Sequence, residues 1–302
     1  MGPAFSVRDA ERAGVGRGRI RAADLDRPFH GIRATLAPRT FHEQVACCVP
    51  RLTPGLRFSG RTAARLWGLP VPWRWHPGED VVVVAATGTS PPRTPGIRGV
   101  RLAEHRAETW IVGGAPVVDI VASLFTIAGE LNLTEAVTVI EALITTAHNY
   151  PGLLVGRPRV TREEVTVRCD EWARFAGSRT IRRALGLVRE GVESPKETET
   201  RLLIVADGLP EPVVQYELRE RGRVIARMDL AYPELRIAVE YEGDGHRTDQ
   251  EQWRSDIRRQ RDLEDRGWIV IRLTQQDLGA NRASFLSRLR RALTARRPPT
   301  AP

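Results

Sequence analysis

The chain has 302 residues, of which 41% are hydrophobic and 27% are charged, so it is long enough to form two domains with separate cores. The formal net charge of +9 favours a polyanionic partner, and nucleic acid is the simplest one. The three cysteines include an adjacent pair and no C-x-x-C spacing, which argues against a disulfide framework or zinc site and favours a reducing compartment.

Residues 5–35 have the spacing of a helix-turn-helix followed by a short wing. Ala10 is a small residue where two helices would touch, Gly14 suits the turn, and Ile20 is the apolar residue that the second helix would bury. The second helix would carry three basic residues, Arg17, Arg19 and Arg21. On an exposed helix these arginines could contact DNA phosphates or base edges, so residues 1–40 are predicted to be a winged-helix-like DNA-binding module.

Residues 41–150 are predicted to form a mixed α/β region. The segments LWGLP, VVVVA and GAPVVD, followed by a helical pattern, resemble the antitoxin-type proteins of abortive-infection (AbiEi-type) systems, and VVVVA, residues 81–85, is predicted to be a strand. That resemblance implies an antitoxin-like protein that begins with a winged helix. The tryptophans Trp67, Trp73 and Trp75 are interpreted as packing residues, with base stacking as the alternative.

The most apolar stretch, residues 111–129, is interrupted by Pro116 and Asp119, so no membrane span is predicted. The N-terminal residues contain no apolar core of a secretion signal, which predicts a cytoplasmic protein. Residues 151–190 are predicted to be a helical connector to the last domain.

The last third of the chain alternates helices and strands with clear boundaries. Ser194 and Pro195 predict a helix start, and Gly208 with Pro210 predicts its end. A strand is predicted over 213–220, a hairpin over 224–243, a helix after it, a buried strand over 268–274 and a basic helix at the end.

The hairpin carries a set of acidic residues on one predicted face. Its other face, containing Met228 and Leu230, is predicted to be the core face. A turn centred on Pro233-Glu234 would put Asp229 opposite Ala238 and make Glu240 its diagonal neighbour, about 7–8 Å away. Carboxylates at that spacing can share a hard cation such as Mg²⁺. The alternative is a solvated polar face on which Arg227 pairs with Glu240.

The stretch from about 194 to 291 resembles the domains related to very-short-patch-repair endonucleases, which belong to the PD-(D/E)XK nuclease superfamily. The motifs that carry the resemblance are SPKET with GLPEPVVQ, RMDLAYPELRIAVEYEGDGH and DIRRQRDLEDRGWIVIRLT. The resemblance implies a restriction-endonuclease-like domain over 191–297. It also implies hydrolysis of a phosphodiester bond in DNA with Mg²⁺ or Mn²⁺ as cofactor.

The same resemblance assigns roles to individual residues. Asp229 and Glu240 would bind the metal, Glu197 would complete its ligand set, and Gln215 would orient the attacking water. Glu197 has an alternative role in a capping box with Ser194. His246 matches a histidine of the family, with an ordinary loop histidine as its alternative.

One position departs from the superfamily pattern. Glu242 stands where a catalytic lysine is usual, and Lys196 is the only lysine in the chain. Arginine cannot replace lysine as a general base at neutral pH. We nevertheless include Glu242 among the candidate catalytic residues, because relatives in this branch carry an acid there.

Together these features predict an α/β (α+β) chain that combines a winged-helix-like module, a mixed α/β region and a nuclease-fold domain. The predicted function is metal-dependent DNA cleavage. The alternative is a non-catalytic DNA-binding regulator or antitoxin-like protein with a degenerate nuclease fold. A homodimer is left open, and the sequence identifies no protein partner such as a toxin.

Overall fold

A computed structural model of the chain describes residues 4–243 and 259–296, which form two units. The first unit comprises residues 1–143 and 152–186, and the second comprises residues 144–151 and 187–302. The fold is α+β, as the sequence predicts. Residues 1–40, residues 41–143 and most of the predicted connector over 151–190 lie in the first unit.

The first unit begins with two short strands and two short helices and continues into a larger α/β arrangement. Its strands are β1 (Ala4–Ser6), β2 (Ile32–Ala34), β3 (Leu56–Phe58), β4 (Val81–Ala85), β5 (Arg93–Thr94), β6 (Ile97–Arg101), β7 (Thr109–Val112) and β8 (Ala115–Val118). Its helices are α1 (Val7–Arg12), α2 (Arg17–Ile20), α3 (Phe41–Cys48), α4 (Gly60–Leu66), α5 (Ile120–Ile127), α6 (Leu133–Ile144), α7 (Arg162–Trp172) and α8 (Ser178–Leu187).

The larger sheet of this unit has the strand order β5-β6-β4-β3-β8-β7. Strands β4 and β6 are parallel, as are β3 and β8, and the other neighbours are antiparallel. The predicted strand at residues 81–85 is confirmed, and every residue in it is buried. Trp67 is also buried, and its indole N–H donates to the Val118 carbonyl at 2.9 Å, which confirms a packing role.

The second unit has one mixed sheet with helices around it. Its strands are β9 (Val213–Glu220), β10 (Arg223–Tyr232), β11 (Ile237–Tyr241) and β12 (Ile269–Leu273), in the order β12-β11-β10-β9. Its helices are α9 (Pro195–Ala206), α10 (259–265 in the described part), α11 (Gln275–Leu278) and α12 (Arg282–Arg296). Strands β11 and β12 are parallel, and the remaining pairs are antiparallel.

Local sequence signals explain these elements. Ser194 caps α9 by accepting the Glu197 N–H, and Pro195 occupies the first turn, where a missing N–H costs nothing. Gly208 follows the helix with a φ of 76°, a conformation that favours glycine. The strands predicted over 213–220 and 268–274 are confirmed as β9 and β12.

The hairpin is antiparallel as predicted, but its predicted register is wrong. Ala231, and not Asp229, pairs with Ala238. The reason is the turn, in which residues 233–235 form one 3₁₀ turn and Arg236 has a φ of 50°. That four-residue connection moves the centre of the hairpin one residue along from Pro233-Glu234.

The prediction of one core face and one polar face is also wrong, because apolar clusters lie on both faces of this sheet. Leu230 and Val214 pack with α12, whereas Met228 and Tyr216 pack in a second cluster that includes Leu263 of α10. Residues two apart in a regular strand share a face. The alternation is broken between these pairs, at the level of Asp229 and Gln215.

Candidate functional site

Glu197 lies in the first turn of α9 and is almost completely buried, with 5% of its surface exposed. Its carboxylate oxygen Oε2 accepts the backbone N–H of Glu193 at 3.0 Å. The Glu197 N–H donates to Ser194 Oγ at 3.2 Å. Only half of the predicted capping box is therefore present, because the carboxylate accepts from Glu193 and not from the backbone of the capping serine.

Gln215 is held in an unusual backbone conformation that directs it to Glu197. Its φ is 48°, in the left-handed region that costs about 1–2 kcal/mol for a residue with a Cβ. In the ladder between β9 and β10, Tyr216 pairs with Met228 and Val214 pairs with Leu230. Gln215 and Asp229, which lie between these pairs, are not paired in the ladder. Its side-chain amide donates to Glu197 Oε2 at 2.7 Å. Backbone strain of this kind is concentrated at functional sites.

Asp229 lies on β10 at the same break in the sheet and is partly buried. Its Oδ2 accepts the backbone N–H of Tyr241, from strand β11, at 3.1 Å. Burial raises the pKa of Asp229 above its usual value, although the Tyr241 hydrogen bond and the charge of Arg259 oppose that rise.

Glu197 and Asp229 repel each other electrostatically. Burial raises the pKa of Glu197 to about 7, and the negative charge of Asp229 contributes in the same direction. Hydrogen bonds from Glu193, Gln215 and Ser194 act against this rise without cancelling it. Ionising both acids at the same time is costly. The pair would therefore bind a cation, or share a proton, favourably.

Glu240 is buried and already has a counter-charge. It is 6% exposed, and its Oε2 lies 3.0 Å from Nη2 of Arg259. Arg259 also donates from Nη1 to the carbonyl of Arg227 at 2.9 Å, which fixes the guanidinium against the hairpin. The alternative pairing of Arg227 with Glu240 is absent, since Arg227 pairs with Glu193 at 2.6 Å.

Glu242 lies apart from these carboxylates. It is exposed and forms an ion pair with Arg272 of β12, while its backbone N–H donates to the Leu273 carbonyl at 2.8 Å. The structure therefore joins Gln215 to Glu197 by a hydrogen bond, places Asp229 where its charge acts on Glu197, and leaves Glu242 at the surface. Glu240 is linked to this group through Arg259, whose charge also acts on Asp229. His246, the other predicted candidate, lies outside the described residues.

The donor chemistry suits a hard cation, but the set is not assembled as a three-carboxylate cluster. Among the residues that the structure describes, no group of three or more His, Cys, Asp or Glu side chains is arranged to hold a metal ion. Glu197 and Asp229 fit Mg²⁺ or Mn²⁺ best, because both are oxygen donors whose mutual repulsion a cation would relieve. Glu240 can join them only by sharing its charge between the cation and Arg259.

Two residues of the site, Arg259 and Glu193, were not predicted from the sequence. Arg259 is one of several arginines in a charged segment, and nothing in its spacing distinguishes it from its neighbours. Glu193 precedes the helix start and contributes both its N–H to Glu197 and its carboxylate to Arg227. The contact of Arg259 with Glu240 is long-range, and the contacts of Glu193 depend on the conformation of the loop before α9. No local sequence pattern therefore indicates these contacts.

The predicted DNA-binding arginines lie in the first unit. Ala10 and Ile20 are buried and Gly14 has a φ of 76°, as the helix-turn-helix spacing predicts. Helix α2 is a single turn, so Arg21 follows it as the capping residue instead of lying within it. All three predicted side chains are exposed, and Arg19 is paired with Asp24 at 2.6 Å. Strand β2 lies in the segment predicted to be the wing, and it pairs with β1, which precedes α1.

Comparison with known proteins adds relatives without a described function. No family model matches the chain. An uncharacterised protein of Mycobacterium tuberculosis, MT2308 in strain CDC 1551 and Rv2248 in strain H37Rv, is 28% identical over 135 residues. This match covers 45% of the chain, and the chain spans about half the length of that relative, 50%.

The crystal structure of the Rv2827c protein from M. tuberculosis is similar over 62% of this chain and 76% of that one, with a TM-score of 0.35 and 15% identity.

No helix in the described ranges, 4–243 and 259–296, is both long and apolar enough to cross a membrane.

Proposed function

We propose that the second unit hydrolyses phosphodiester bonds in DNA with Mg²⁺ or Mn²⁺ as cofactor. The observation that carries this proposal is the pair of carboxylates formed by the buried Glu197 and the partly buried Asp229, whose pKa values are both raised. Perturbed acids beside a strained polar residue such as Gln215 are typical of catalytic sites.

Each side chain has a role consistent with its contacts. Glu197 and Asp229 would hold the cation, and Gln215 keeps the Glu197 carboxylate oriented through its 2.7 Å hydrogen bond. When bound, the cation would neutralise charge on the phosphate and lower the pKa of a coordinated water. Arg259, 3.0 Å from Glu240, supplies a fixed positive charge at the edge of the site that could contact a DNA phosphate.

The first unit would bring DNA to the protein. Arg17, Arg19 and Arg21 are exposed in a segment with helix-turn-helix spacing, and the chain carries a net charge of +9. Both features support phosphate contacts. Since its substrate would be intracellular DNA, we propose a cytoplasmic location.

A plasmid-cleavage assay tests the enzyme directly. We expect slow nicking of supercoiled DNA that EDTA abolishes, because the cation is required. Asp229→Asn should reduce the rate more than about 100-fold, since even outer-shell changes at metal sites cost about 10- to 100-fold. Glu234→Gln, which removes an exposed acid at the hairpin turn, is the matched control and should cleave like the wild type. Equal rates for Asp229→Asn and Glu234→Gln would refute the assigned site.

A second candidate function is a non-catalytic, antitoxin-like DNA-binding regulator. It is favoured by the ion pairs of Glu240 with Arg259 and of Glu242 with Arg272, which neutralise two of the predicted acids without a metal. The absence of a three-ligand cluster among the described residues also favours it. DNA binding without any metal-dependent cleavage, in wild-type protein of confirmed purity, would select this function.

A further inference from the structure

The larger sheet of the first unit has a polar cavity at the carboxyl ends of two neighbouring strands. Strands β4 and β6 are parallel, and Ala85 is paired with Arg101 at their ends. The cavity has a volume of about 380 Å³ and is lined by Thr87, Gly88, Thr89, Ser90, Arg101, Leu102 and Ala103. Clefts at the carboxyl ends of parallel strands are common ligand sites in α/β sheets, and this volume lies in the range of small-molecule pockets.

The loop that forms one wall is fixed by its own turn and by a close approach to β6. Thr89 N donates to the Ala86 carbonyl at 3.0 Å, and Gly88 has a φ of 86°, which favours glycine. A side chain at Gly99 would bring its Cβ to 2.5 Å from the Pro92 carbonyl oxygen. Glycine at position 99 therefore allows the loop to lie against the strand that ends in Arg101.

The chemistry of the lining selects an anion. Thr87, Thr89 and Ser90 supply three hydroxyl groups, and Arg101 supplies a guanidinium that is always protonated. Arg101 is exposed, and within the described ranges no carboxylate forms an ion pair with it. No acidic side chain of the described part of the chain lines the cavity.

The neighbouring hairpin carries two further arginines. Arg93 of β5 lies directly opposite Arg98 of β6, and like charges at that position destabilise a strand pair. Arg98 forms an ion pair with Glu130 at 3.9 Å. Hydroxyl groups and a guanidinium around a glycine-containing loop are the donors that phosphoryl groups prefer.

We infer that this cavity binds a phosphoryl group, supplied either by a nucleotide-sized molecule or by the phosphate of a nucleic-acid strand. The site is independent of the proposed hydrolytic centre, because it lies in the other unit and uses none of its residues. Binding should therefore persist in EDTA and in the Asp229→Asn variant. Failure of the nuclease proposal would leave this inference unaffected.

Calorimetric titration of the full chain in EDTA tests the inference with three probes, namely inorganic phosphate, AMP and a short 5′-phosphorylated DNA strand. We expect wild-type protein to bind at least one of them. Arg101→Gln should weaken that binding about tenfold or more, because a charge-assisted hydrogen bond is lost. Thr89→Val, which removes one hydroxyl with little change in shape, should weaken it less.

Arg93→Gln is the matched control, since it removes an exposed arginine of the same hairpin that does not line the cavity. It should change the affinity less than Arg101→Gln does. Preference for AMP would identify a small-molecule source, and binding of the DNA strand alone would identify nucleic acid. The inference is overturned if no probe binds, or if Arg93→Gln and Arg101→Gln lose affinity equally, which would indicate only a diffuse surface charge.

Discussion

Each of the two units buries carboxylates, but their surroundings differ in kind. In the first unit, Asp119 caps α5 by accepting Ala122 N at 2.9 Å, and it also accepts Glu108 N at 2.9 Å. Arg168 lies 3.2 Å from the same carboxylate and supplies a counter-charge. In the second unit, the negative charge of Asp229 acts on the buried Glu197, and the pKa of each is raised. Burial of an acid therefore does not by itself indicate a functional site.

The difference lies in what compensates the buried charge. The donors around Asp119 come from the helix it caps, from the start of a strand and from α7, so the carboxylate joins three parts of one unit. Glu197 has hydrogen bonds from Glu193 and Gln215, but the charged residue that acts on its pKa, Asp229, is negative. The first arrangement stabilises the fold without a ligand, and the second is stabilised when a cation or a proton arrives.

The largest expected effect is on the stability of the first unit. Asp119→Ala removes a helix cap and leaves Arg168 without its buried partner, so we expect a loss of about 3–5 kcal/mol. Labelling of the buried thiols of Cys47, Cys48 and Cys169 measures opening of this unit specifically, because all the cysteines lie in it. Their labelling should be much faster in Asp119→Ala than in wild type or Glu234→Gln. Unchanged labelling would contradict a structural role for Asp119.

The second prediction concerns the pH dependence of the metal-free second unit. The pKa of Glu197 is about 7 in the folded state, above its usual value of 4.5, so the folded state binds the proton more tightly than the unfolded chain. This contribution to stability is complete below pH 4.5 and is lost as pH rises through 7. The full loss is about 3 kcal/mol, at 1.36 kcal/mol per unit of pKa.

Glu197→Gln should remove this pH dependence, because the amide mimics the protonated acid. Hydrogen exchange of the amides in 213–241, measured in EDTA, reports on the second unit alone. Exchange in wild type should accelerate between about pH 5 and 8 beyond the intrinsic chemical rate, and exchange in Glu197→Gln should not. Parallel curves for the two proteins would show that Glu197 does not carry a raised pKa.

Part of the second unit and of its candidate site could be predicted from the sequence. The ends of α9 and the extents of β9 and β12 follow from caps, glycines and apolar runs, which act within a few residues. The identities of Asp229 and Glu197 as a pair followed from the family resemblance. The hairpin register could not be predicted, because it depends on the left-handed conformation of Arg236. Such a conformation is usually indicated by a glycine or asparagine, and this position has neither.

Long-range contacts explain the remaining errors. The ion pair between Glu240 and Arg259 joins residues 19 apart across a charged segment with many arginines. The exchange of faces between Met228 and Leu230 occurs at the level of Gln215, which has a left-handed backbone in the neighbouring strand. Neither feature has a periodic or compositional signal.

A smaller effect is expected from divalent cations. A ligand that binds only the folded state stabilises it by about 1.4 kcal/mol at ten times its Kd, so Mg²⁺ or Mn²⁺ should protect the second unit. The exchange of amides in 213–241 should slow as either ion is added at a pH above 7, where Glu197 is ionised. Asp229→Asn should abolish this protection, and Glu242→Gln should retain it because Glu242 lies at the surface with Arg272. Equal protection of wild type and Asp229→Asn would exclude Asp229 as a ligand.

The smallest effect isolates the strain at Gln215. With a φ of 48°, this position favours glycine over any residue with a Cβ by about 1 kcal/mol. Gln215→Gly and Gln215→Ala both lose the hydrogen bond to Glu197, so their difference in stability measures the backbone term alone. We expect the glycine variant to be more stable than the alanine variant by about that amount, by exchange of the same amides, and both to cleave DNA more slowly than wild type. If alanine is as stable as glycine, the backbone at this position is relaxed, and the side chain reaches Glu197 without stored strain.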